Sequence, residues 1–386
     1  MTHMLKKTAG TLFIVLFLSM FSHGAEIVKV PLFDGETLTG KLHLPAGLLK
    51  VNEIVIYIPG TGPATYDNHR KFGALELNYF DYFAEEFNRR GIAFFSYNKR
   101  GVEMGTDPPM YDKVDRDKYR KAVPSIEVRD IASVIANLRK MPSLKSARVV
   151  LLGWSEGTVL AAMAAEDKRN KVHALFLNGY VHDNMADVIK WQNMGGSAMV
   201  NLGAALDADK NGSISRAEYD SEDKPAAAFR TGQLRGVKFD QLDVSKDDAI
   251  TANDFAVIQK PRYDTILDAY ARGDEDWIWK NYFRVSIPWL KEHFALEANK
   301  DRLLRLNMPI YIFHGELDAN CPVEGVLDLR KRFDKARKKN LHESIFERHN
   351  HDLNFVDWVL KKEMPEGVRK MFETAETLSR GMRDEG

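Results

Sequence analysis

Cysteine is almost absent from this sequence of 386 residues, with Cys321 as its single example. No intrachain disulfide can form, so the fold must be stabilised by a hydrophobic core, with a bound metal ion as a further source of stability. An excess of one charge is also missing, because 55 lysine and arginine residues balance 55 aspartate and glutamate residues. This balance argues against an overall basic surface, and we therefore expect no nucleic-acid partner.

Long hydrophobic runs are missing as well. The most apolar stretch, TLFIVLFLSMF from Thr11 to Phe21, is too short to span a bilayer comfortably. Two lysines precede this stretch and small residues, including Gly24, follow it, which is the layout of a signal peptide over residues 1–24. We expect an exported protein, periplasmic or secreted, without stable membrane insertion after cleavage. An uncleaved membrane anchor is the alternative interpretation of the same stretch.

Short apolar segments alternate with helical patterns over much of the remaining chain. An amino-terminal hairpin is indicated by the turn signal Asp34-Gly35. The predicted buried strands after it are Glu53–Ile58, Ile92–Tyr97, Arg148–Leu152, Val172–Asn178 and Pro309–Gly315. Continuous apolar strands separated by helices predict an α/β fold, with a mostly parallel sheet covered by helices on both faces.

The alternation stops in the middle of the chain. Between about residues 180 and 307 the pattern predicts helices and acidic loops without buried strands. We therefore predict an α/β core in two parts, residues 25–180 and 307–386. A helical cap over residues 181–306 separates them, inserted after the sixth or seventh strand.

The segment GWSEG, from Gly153 to Gly157, lies between a predicted strand and a predicted helix. In that position Ser155 occupies a strained turn that projects its Oγ above the sheet edge, and the glycines allow close backbone packing. The backbone N–H of Glu156, at a helix N-terminus, can stabilise a developing oxyanion. The five residues alone are a weak signal, and their position between strand and helix makes Ser155 a candidate nucleophile.

A nucleophilic serine needs a base and a group that orients the base. Asp318, in HGELDANCP, and His351, in ERHNHDLNF, follow predicted strands and have the order serine, acid, histidine. Such residues meet at the carboxyl edge of a parallel sheet. Glu316 is the alternative acid and His349 the alternative base. We expect His314 and Cys321 to be structural residues.

A second oxyanion donor is expected in PGTGP, from Pro59 to Pro63, directly after the strand Glu53–Ile58. Its two glycines allow backbone N–H groups to turn towards the serine. We predict the N–H of Thr61 as the donor, with that of Gly62 as the second choice. A tight surface turn without a catalytic role is the alternative.

These motifs resemble those of the α/β-hydrolase superfamily, in particular its prolyl-oligopeptidase-like, dienelactone-hydrolase-like and serine-aminopeptidase-like members. The resemblance rests on PGTGP, YNKRGVEMGT, GWSEG, HGELD and HNHDLN and covers about residues 28–180 and 307–359. It implies the α/β-hydrolase fold and hydrolysis of an acyl bond by Ser155, His351 and Asp318. Two positions depart from the family pattern: Pro59 replaces a histidine, and Asn98 replaces an acid. Arg100 is expected to hold its loop.

A calcium-binding pattern lies inside the predicted cap. The segment DADKNGSISRAE, from Asp207 to Glu218, matches the calcium loop of an EF-hand at every position. Its predicted ligands are the side chains of Asp207, Asp209, Asn211 and Glu218 and the carbonyl of Ser213, with a water held by Ser215. Gly212 permits the sharp bend. The pattern predicts a structural Ca²⁺ site, and a solvated acidic loop is the alternative.

A degenerate copy, DVSKDDAITAND, follows from Asp243 to Asp254. Its predicted ligands are Asp243, Ser245, Asp247, the carbonyl of Ala249, Thr251 and Asp254. Asp248 replaces the glycine, and Asp254 is shorter than the usual glutamate, so we expect this loop to bind calcium more weakly or not at all. Ile214 and Ile250 occupy the eighth loop positions, where paired loops join through a short ribbon, which predicts an EF-hand-like pair over about residues 199–258.

The cap also contains an aromatic-rich segment with Trp277, Trp279, Tyr282, Phe283 and Trp289. These side chains could line an acyl pocket or form the core of the cap itself.

Together the motifs predict an exported serine hydrolase that cleaves an ester or related acyl bond of a small molecule, without an organic cofactor. A peptidase acting on short peptides is the second interpretation. A calcium-dependent binding protein on an inactive hydrolase scaffold is the third. The identity of the substrate and the oligomeric state are not predicted by any of these patterns.

Overall fold

In the computed structural model, residues 24–381 are described, so the predicted signal segment lies almost entirely outside the described residues. The strands are β1 Glu26–Pro31, β2 Thr37–His43, β3 Glu53–Ile58, β4 His69–Phe72, β5 Leu75–Asn78, β6 Ala93–Tyr97, β7 Val102–Met104, β8 Asp112–Val114, β9 Arg148–Trp154, β10 Val172–Asn178, β11 Ile214–Ser215, β12 Ala249–Ile250, β13 Ile310–Gly315 and β14 Leu341–Phe346. Eight of these form one central sheet in the order β1-β2-β6-β3-β9-β10-β13-β14.

The central sheet is mostly parallel, as predicted. The strands β6, β3, β9, β10, β13 and β14 pair in parallel, and the amino-terminal hairpin β1–β2 adds two antiparallel strands at one edge. Every residue of β3 and of β6 is buried. Strands that are apolar on both faces require cover on both sides, which is the arrangement that the alternating pattern indicated.

Helices supply that cover and the insertion. They are α1 Tyr79–Arg89, α2 Arg116–Tyr119, α3 Pro124–Leu138, α4 Glu156–Glu166, α5 Met185–Asn193, α6 Gly196–Leu206, α7 Arg216–Tyr219, α8 Lys224–Gly232, α9 Phe239–Leu242, α10 Ala252–Arg272, α11 Glu275–Asn281, α12 Ile287–Ala295, α13 Asn299–Leu303, α14 Glu324–Lys335, α15 Phe355–Lys361 and α16 Glu366–Arg380. A short 3-10 helix spans Lys168–Asn170. Within residues 24–381, none of these helices combines the length and apolar character needed to cross a bilayer.

Two hydrophobic layers sandwich the sheet. Along β3, Ile54, Ile56 and Ile58 pack into one layer together with α3, α4 and α14. The alternate residues Val55 and Tyr57 pack into the other layer with α1, α15 and α16. This division follows from the two-residue period of a strand, which sends successive side chains to opposite faces.

Helices α5 to α13 occupy the chain between β10 and β13, after the sixth strand of the central sheet. Helices α5, α10, α11 and α12 form a hydrophobic cluster that also includes Val159 of α4 and Cys321, so this cluster joins the insertion to the sheet domain. A separate small cluster surrounds the paired strands β11 and β12, in which Ile214 faces Ile250. We refer to the helices α5–α13 as the cap.

Candidate active site

Ser155 lies in the turn between β9 and α4, with φ of +56° and ψ of −123°. This backbone conformation is costly for a residue with a side chain, and the surrounding structure must maintain it. The neighbouring glycines explain how. A Cβ atom on Gly153 would lie 2.4 Å from the carbonyl oxygen of Gly157, and one on Gly157 would lie 2.1 Å from that of Ile58. Both glycines are therefore required by close backbone packing.

His351 and Asp318 form a hydrogen-bonded pair at the same sheet edge. His351 follows β14, and its Nδ1 lies 2.8 Å from Oδ2 of Asp318, which follows β13. The other Asp318 oxygen accepts the backbone N–H groups of Asn320 and Cys321 at 2.8 and 2.9 Å. Since the carboxylate is held from both sides, it orients the imidazole with Nδ1 as the donor and leaves Nε2 to accept a proton.

The charge states of this pair follow from burial and pairing. Burial alone would lower the pKa of His351, but the carboxylate of Asp318 raises it above the ordinary value. Burial alone would raise the pKa of Asp318, and His351 lowers it below its ordinary value. The carboxylate therefore remains ionised near neutral pH, where it can stabilise an imidazolium.

Ser155 and His351 both line one cavity of about 380 Å³ between the sheet edge and the cap. The Ser155 Oγ makes no hydrogen bond within residues 24–381. Both side chains are packed closely against the backbone of a glycine. A Cβ on Gly60 would lie 3.1 Å from Cβ of Ser155, and one on Gly179 would lie 2.7 Å from Nδ1 of His351.

Asn178, the last residue of β10, connects the serine and histidine segments. Its carbonyl accepts the backbone N–H of Ser155 at 2.9 Å, and its side-chain amide donates to the carbonyl of His351 at 3.1 Å. Sequence reasoning missed this fully buried residue, although the carboxyl end of a central strand was a signal that could have identified it.

The alternative acid and base face other partners. Glu316 accepts the backbone N–H of Arg348, and His349 pairs through Nδ1 with the carbonyl of Glu347. His314 has a structural environment, because its Nδ1 accepts the N–H of Tyr180 and its Nε2 donates to the carbonyl of Cys321. Burial raises the pKa of the Cys321 thiol well above its ordinary value, which disfavours a thiolate.

The backbone N–H groups predicted as oxyanion donors belong to Glu156 and Thr61. Glu156 is the first residue of α4, and Thr61 lines the cavity in the loop after β3. Within the described chain, neither N–H donates to an acceptor. Gly62 has φ of +95° in the same loop, and Phe283 of the cap covers it with a carbonyl oxygen, 3.0 Å from where a Cβ would lie. The loop is thus enclosed by the cap and does not form an exposed surface turn.

The side chain of Glu156 lies in a buried charge network that sequence reasoning missed. Its Oε1 accepts from Trp289 Nε1 and pairs with His293 Nε2, both at 2.7 Å and both on α12 of the cap. Its Oε2 lies 3.4 Å from Nζ of Lys99, which also pairs with Glu127 at 3.2 Å. Burial would raise the pKa of Glu156, but Lys99 and His293 lower it. The sequence features that could have indicated this network were the carboxylate of Glu156 in GWSEG and the lysine Lys99 in the segment KRG.

Arg100 holds its loop, as the sequence predicted. Its guanidinium pairs with Asp130 at 2.6 Å and with Asp34 at 2.8 Å, and it does not line the cavity of Ser155. Asn98, which stands where relatives have an acid, accepts the backbone N–H of Tyr66 at 2.7 Å. This hydrogen bond connects the loop after β6 to the loop after β3.

The aromatic side chains of the cap have different environments. Tyr282 and Phe283 line the cavity. Trp289 is buried against Glu156, and Trp277 packs on the cap cluster. Trp279 packs against Tyr119, outside the cavity. Tyr282 and Phe283 therefore fit the interpretation as pocket lining, whereas Trp277 and Trp289 fit the interpretation as part of the core of the cap.

The first calcium-type loop connects α6 to α7 and brings together carboxylates. One oxygen each from Asp207, Asp209 and Glu218 lie within 4.8 Å of one another, and Gly212 makes the bend with φ of +83°. Several hard oxygen donors at this spacing fit Ca²⁺, which prefers six to eight such ligands. These residues therefore form a donor set that could hold the ion.

The second loop, between α9 and α10, has a similar backbone and a less suitable donor set. Asp248 has φ of +61°, the left-handed conformation that the missing glycine would provide. The buried carboxylate of Asp254 accepts the backbone N–H groups of Ser245 and Thr251. Within residues 24–381, the acidic side chains of this loop do not come together as a group of three.

Comparison with known proteins agrees with this architecture. The family model described as alpha/beta hydrolase fold matches residues 55–347, which is more than half of the chain. No curated protein matches the sequence. Among solved structures, a lipase in its open form is 13% identical with a TM-score of 0.51, and the alignment covers 92% of this chain and 98% of the lipase.

Two further solved structures are similar. A highly thermostable carboxyl esterase from Bacillus coagulans, in complex with glycerol, is 14% identical with a TM-score of 0.52, covering 92% of this chain and 98% of the esterase. A dipeptidyl peptidase 4 from Porphyromonas gingivalis is 11% identical with a TM-score of 0.47, covering 91% of this chain and 35% of the peptidase. At such identities the likeness to the lipase and the esterase concerns the fold alone.

Proposed function

Because the chain belongs to the α/β-hydrolase fold family, we propose that it is a serine hydrolase that cleaves an ester or related acyl bond. The observation that carries this proposal is the 2.8 Å pair of His351 Nδ1 and Asp318 Oδ2, at the rim of the cavity that Ser155 lines. These are the three groups that acyl transfer requires, namely a nucleophile, a base and an orienting acid.

In the proposed reaction, His351 Nε2 removes the proton of Ser155 Oγ as the oxygen attacks the carbonyl carbon of the substrate. The N–H groups of Glu156 and Thr61 hold the negative charge that develops on the carbonyl oxygen. His351 then gives the proton to the leaving group, whose bond to carbon breaks. Water, activated by the same imidazole, hydrolyses the acyl-enzyme and restores Ser155.

The size and lining of the cavity support a small acyl substrate. Its cap side is formed mainly by apolar and aromatic residues, namely Val181, Met185, Val188, Tyr282 and Phe283, with Gln192 as a polar exception. About 380 Å³ lies near the lower end of ordinary ligand pockets. A peptidase acting on short peptides remains the second candidate, because the same three groups cleave amides.

Labelling with a fluorophosphonate probe tests the catalytic proposal directly. The folded, calcium-loaded protein is expected to react at Ser155, as located by mass spectrometry of the labelled peptide. In a panel of 4-nitrophenyl esters and aminoacyl 4-nitroanilides, we expect higher kcat/KM for the esters. Faster cleavage of the amides would favour the peptidase, and a protein that neither reacts nor turns over any substrate would favour a binding protein on an inactive scaffold.

We further propose that the first loop binds Ca²⁺ as a structural ion that stabilises the cap. The support is the donor set of Asp207, Asp209 and Glu218, together with the side chain of Asn211 and the carbonyl of Ser213. The second loop, with Asp243, Ser245, Asp247, Ala249 and Asp254, is proposed as a weaker site. No step of the reaction passes through the ion.

Removing calcium is expected to destabilise the protein. An ion present at about 100 times its Kd stabilises the folded state by about 2.7 kcal/mol, so a chelator should lower Tm by several degrees. Glu218→Gln should abolish most of this difference, whereas Glu222→Gln, an exposed neighbour, should retain it. Differential scanning calorimetry with and without chelator measures the shift. An unchanged Tm together with unchanged activity would contradict the proposal.

We propose that the protein acts after export, in the periplasm or outside the cell. The support is the layout of residues 1–24, with two lysines, a short apolar stretch and small residues at its end. Calcium is plentiful and steady in such surroundings, which suits a structural ion. The expected partner there is a small-molecule acyl substrate or a short peptide, with no nucleic acid and no stable membrane insertion after cleavage of the signal segment.

A further inference from the structure

One basic side chain on the wall of the cavity has no counter-ion among residues 24–381. Arg70 lies on β4, in the hairpin β4–β5 that precedes α1, and it lines the cavity together with Phe72. Its neighbours His69 and Lys71 point to the other face of this hairpin. There, Lys71 pairs with Glu76 at 2.9 Å, and His69 lies 3.6 Å from the same carboxylate. Because successive side chains of a strand face opposite sides, Arg70 faces the cavity, whereas His69 and Lys71 face Glu76 on the other side of the hairpin.

No ion pair or hydrogen bond engages the Arg70 guanidinium within residues 24–381. The acidic residue among those that line the cavity, Asp352, is exposed and does not pair with it. Arg70 is itself half-buried, so its charge is only partly solvated. Since a partly buried guanidinium without an acceptor is unfavourable, this position suits an anionic group supplied by a ligand.

Two tyrosines beside Arg70 offer further donors. Tyr57 and Tyr79 are buried residues that line the cavity, and neither hydroxyl has a hydrogen-bond partner in the described chain. Burial raises the pKa of both hydroxyls, Asp352 raises it further, and Arg70 acts in the opposite direction. Both hydroxyls therefore remain neutral donors near pH 7, and both tyrosines line the same cavity as Arg70.

We propose that Arg70, with the hydroxyls of Tyr57 and Tyr79, forms a subsite for an anionic oxygen group of the substrate, so that the enzyme selects acyl compounds bearing a carboxylate or a phosphate. This inference rests on the proposed hydrolase function of the same cavity. The planar guanidinium donates two parallel hydrogen bonds to either group, which a neutral ester cannot accept in the same way. Arg70 is thereby a specificity-determining residue.

Matched substrates measure this selectivity. On the acyl side, 4-nitrophenyl hydrogen glutarate is compared with 4-nitrophenyl pentanoate, in which a methyl group replaces the carboxylate. On the leaving-group side, 4-acetoxybenzoate and 4-acetoxyphenyl phosphate are compared with 4-methylphenyl acetate. After subtraction of uncatalysed rates, we expect kcat/KM to favour an anionic member by about 10- to 100-fold, the range of a charge-assisted hydrogen bond. The anionic substrate that is cleaved fastest relative to its neutral partner shows whether the anion belongs to the acyl group or the leaving group, and whether it is a carboxylate or a phosphate.

Variants of the hairpin separate the charge of Arg70 from the general effect of a mutation. Arg70→Gln should reduce the ratio of kcat/KM for anionic over neutral substrates to about one. Arg70→Lys should retain part of this ratio, because lysine keeps the positive charge but lacks the planar pair of donors of the guanidinium. Lys71→Gln removes a charge from the other face and should leave the preference intact. Absence of any preference in the natural protein, or a preference that survives Arg70→Gln, would overturn the inference.

A binding measurement distinguishes failure of this inference from failure of the hydrolase proposal. Monomethyl glutarate, 4-acetoxybenzoate and 4-acetoxyphenyl phosphate are each titrated calorimetrically into the Ser155→Ala protein and into the same protein carrying Arg70→Gln. Binding that is at least tenfold weaker with the second change supports the subsite even if no ester is turned over. Equal binding, or none to either protein, contradicts the subsite even if neutral esters are hydrolysed.

Discussion

Replacing Ser155 with alanine is expected to reduce kcat for ester hydrolysis by roughly 10⁶-fold, the loss seen when a triad nucleophile is removed. Alanine keeps the Cβ atom and removes only Oγ, so the covalent step has no nucleophile while the turn keeps its shape. A small rate above that of water should remain, because the oxyanion donors still bind the transition state. The decisive measurement is kcat with a 4-nitrophenyl ester, together with loss of fluorophosphonate labelling.

Ser133→Ala is a suitable matched control for this variant. Ser133 lies on α3, and its hydroxyl donates to the carbonyl of Arg129 within the same helix, remote from the cavity. Its replacement should leave kcat and labelling unchanged. Normal turnover in Ser155→Ala would refute the assignment of the nucleophile, provided that the protein preparation is free of other esterases.

Replacing Asp318 with asparagine is expected to lower kcat by about 10⁴-fold. The amide can present an N–H to His351 Nδ1, which favours the tautomer that carries its proton on Nε2 and cannot accept one from Ser155. The variant also loses the negative charge that stabilises the imidazolium in the transition state. Because asparagine has the same shape, the N–H groups of Asn320 and Cys321 retain an acceptor, and Tm should change little.

The pH dependence of kcat/KM gives a second measure of the same pair. His351 must be neutral to accept a proton, and its pKa is raised by Asp318. Activity should therefore be lost as pH falls through a value above about 6.5, the ordinary histidine pKa. In Asp318→Asn the remaining activity should extend to lower pH, because burial then lowers the pKa without the opposing carboxylate.

Glu316→Gln serves as the control for Asp318→Asn, since Glu316 was the alternative acid and its carboxylate bonds to the backbone of Arg348. We expect its pH profile to match that of the natural protein. The opposite result, with a large loss in Glu316→Gln and little change in Asp318→Asn, would assign the acid to Glu316.

The parts of this structure that could be predicted from the sequence are those with a local pattern. The predicted strand Glu53–Ile58 has its observed bounds, and the predicted strand Val172–Asn178 also matches β10 at both ends. GWSEG and its flanking residues indicated a strand, a sharp turn and a helix, and β9, Ser155 and α4 have that order.

The features that escaped prediction depend on contacts between distant segments. The hairpin β4–β5 pairs HRKF, which does not alternate polar with apolar residues, with LELN, which alternates over only four residues before α1 begins at Tyr79. The partners of Glu156 come from residues 99, 289 and 293, and only the folded chain brings them together. Likewise, Asn178 acquires its role because β10 lies beside both β9 and β13.

The contacts of Glu156 also determine how the molecule can open. Separating α12 from the sheet would take Trp289 and His293 away from a carboxylate that is completely buried, leaving its charge with fewer partners. Leaving a buried acceptor without its hydrogen-bond donors costs about 1–3 kcal/mol, and more for a charged group. Helix α12 and the turn that carries Ser155 therefore belong to one cooperative unit in local unfolding, and their amide hydrogens should exchange with solvent together.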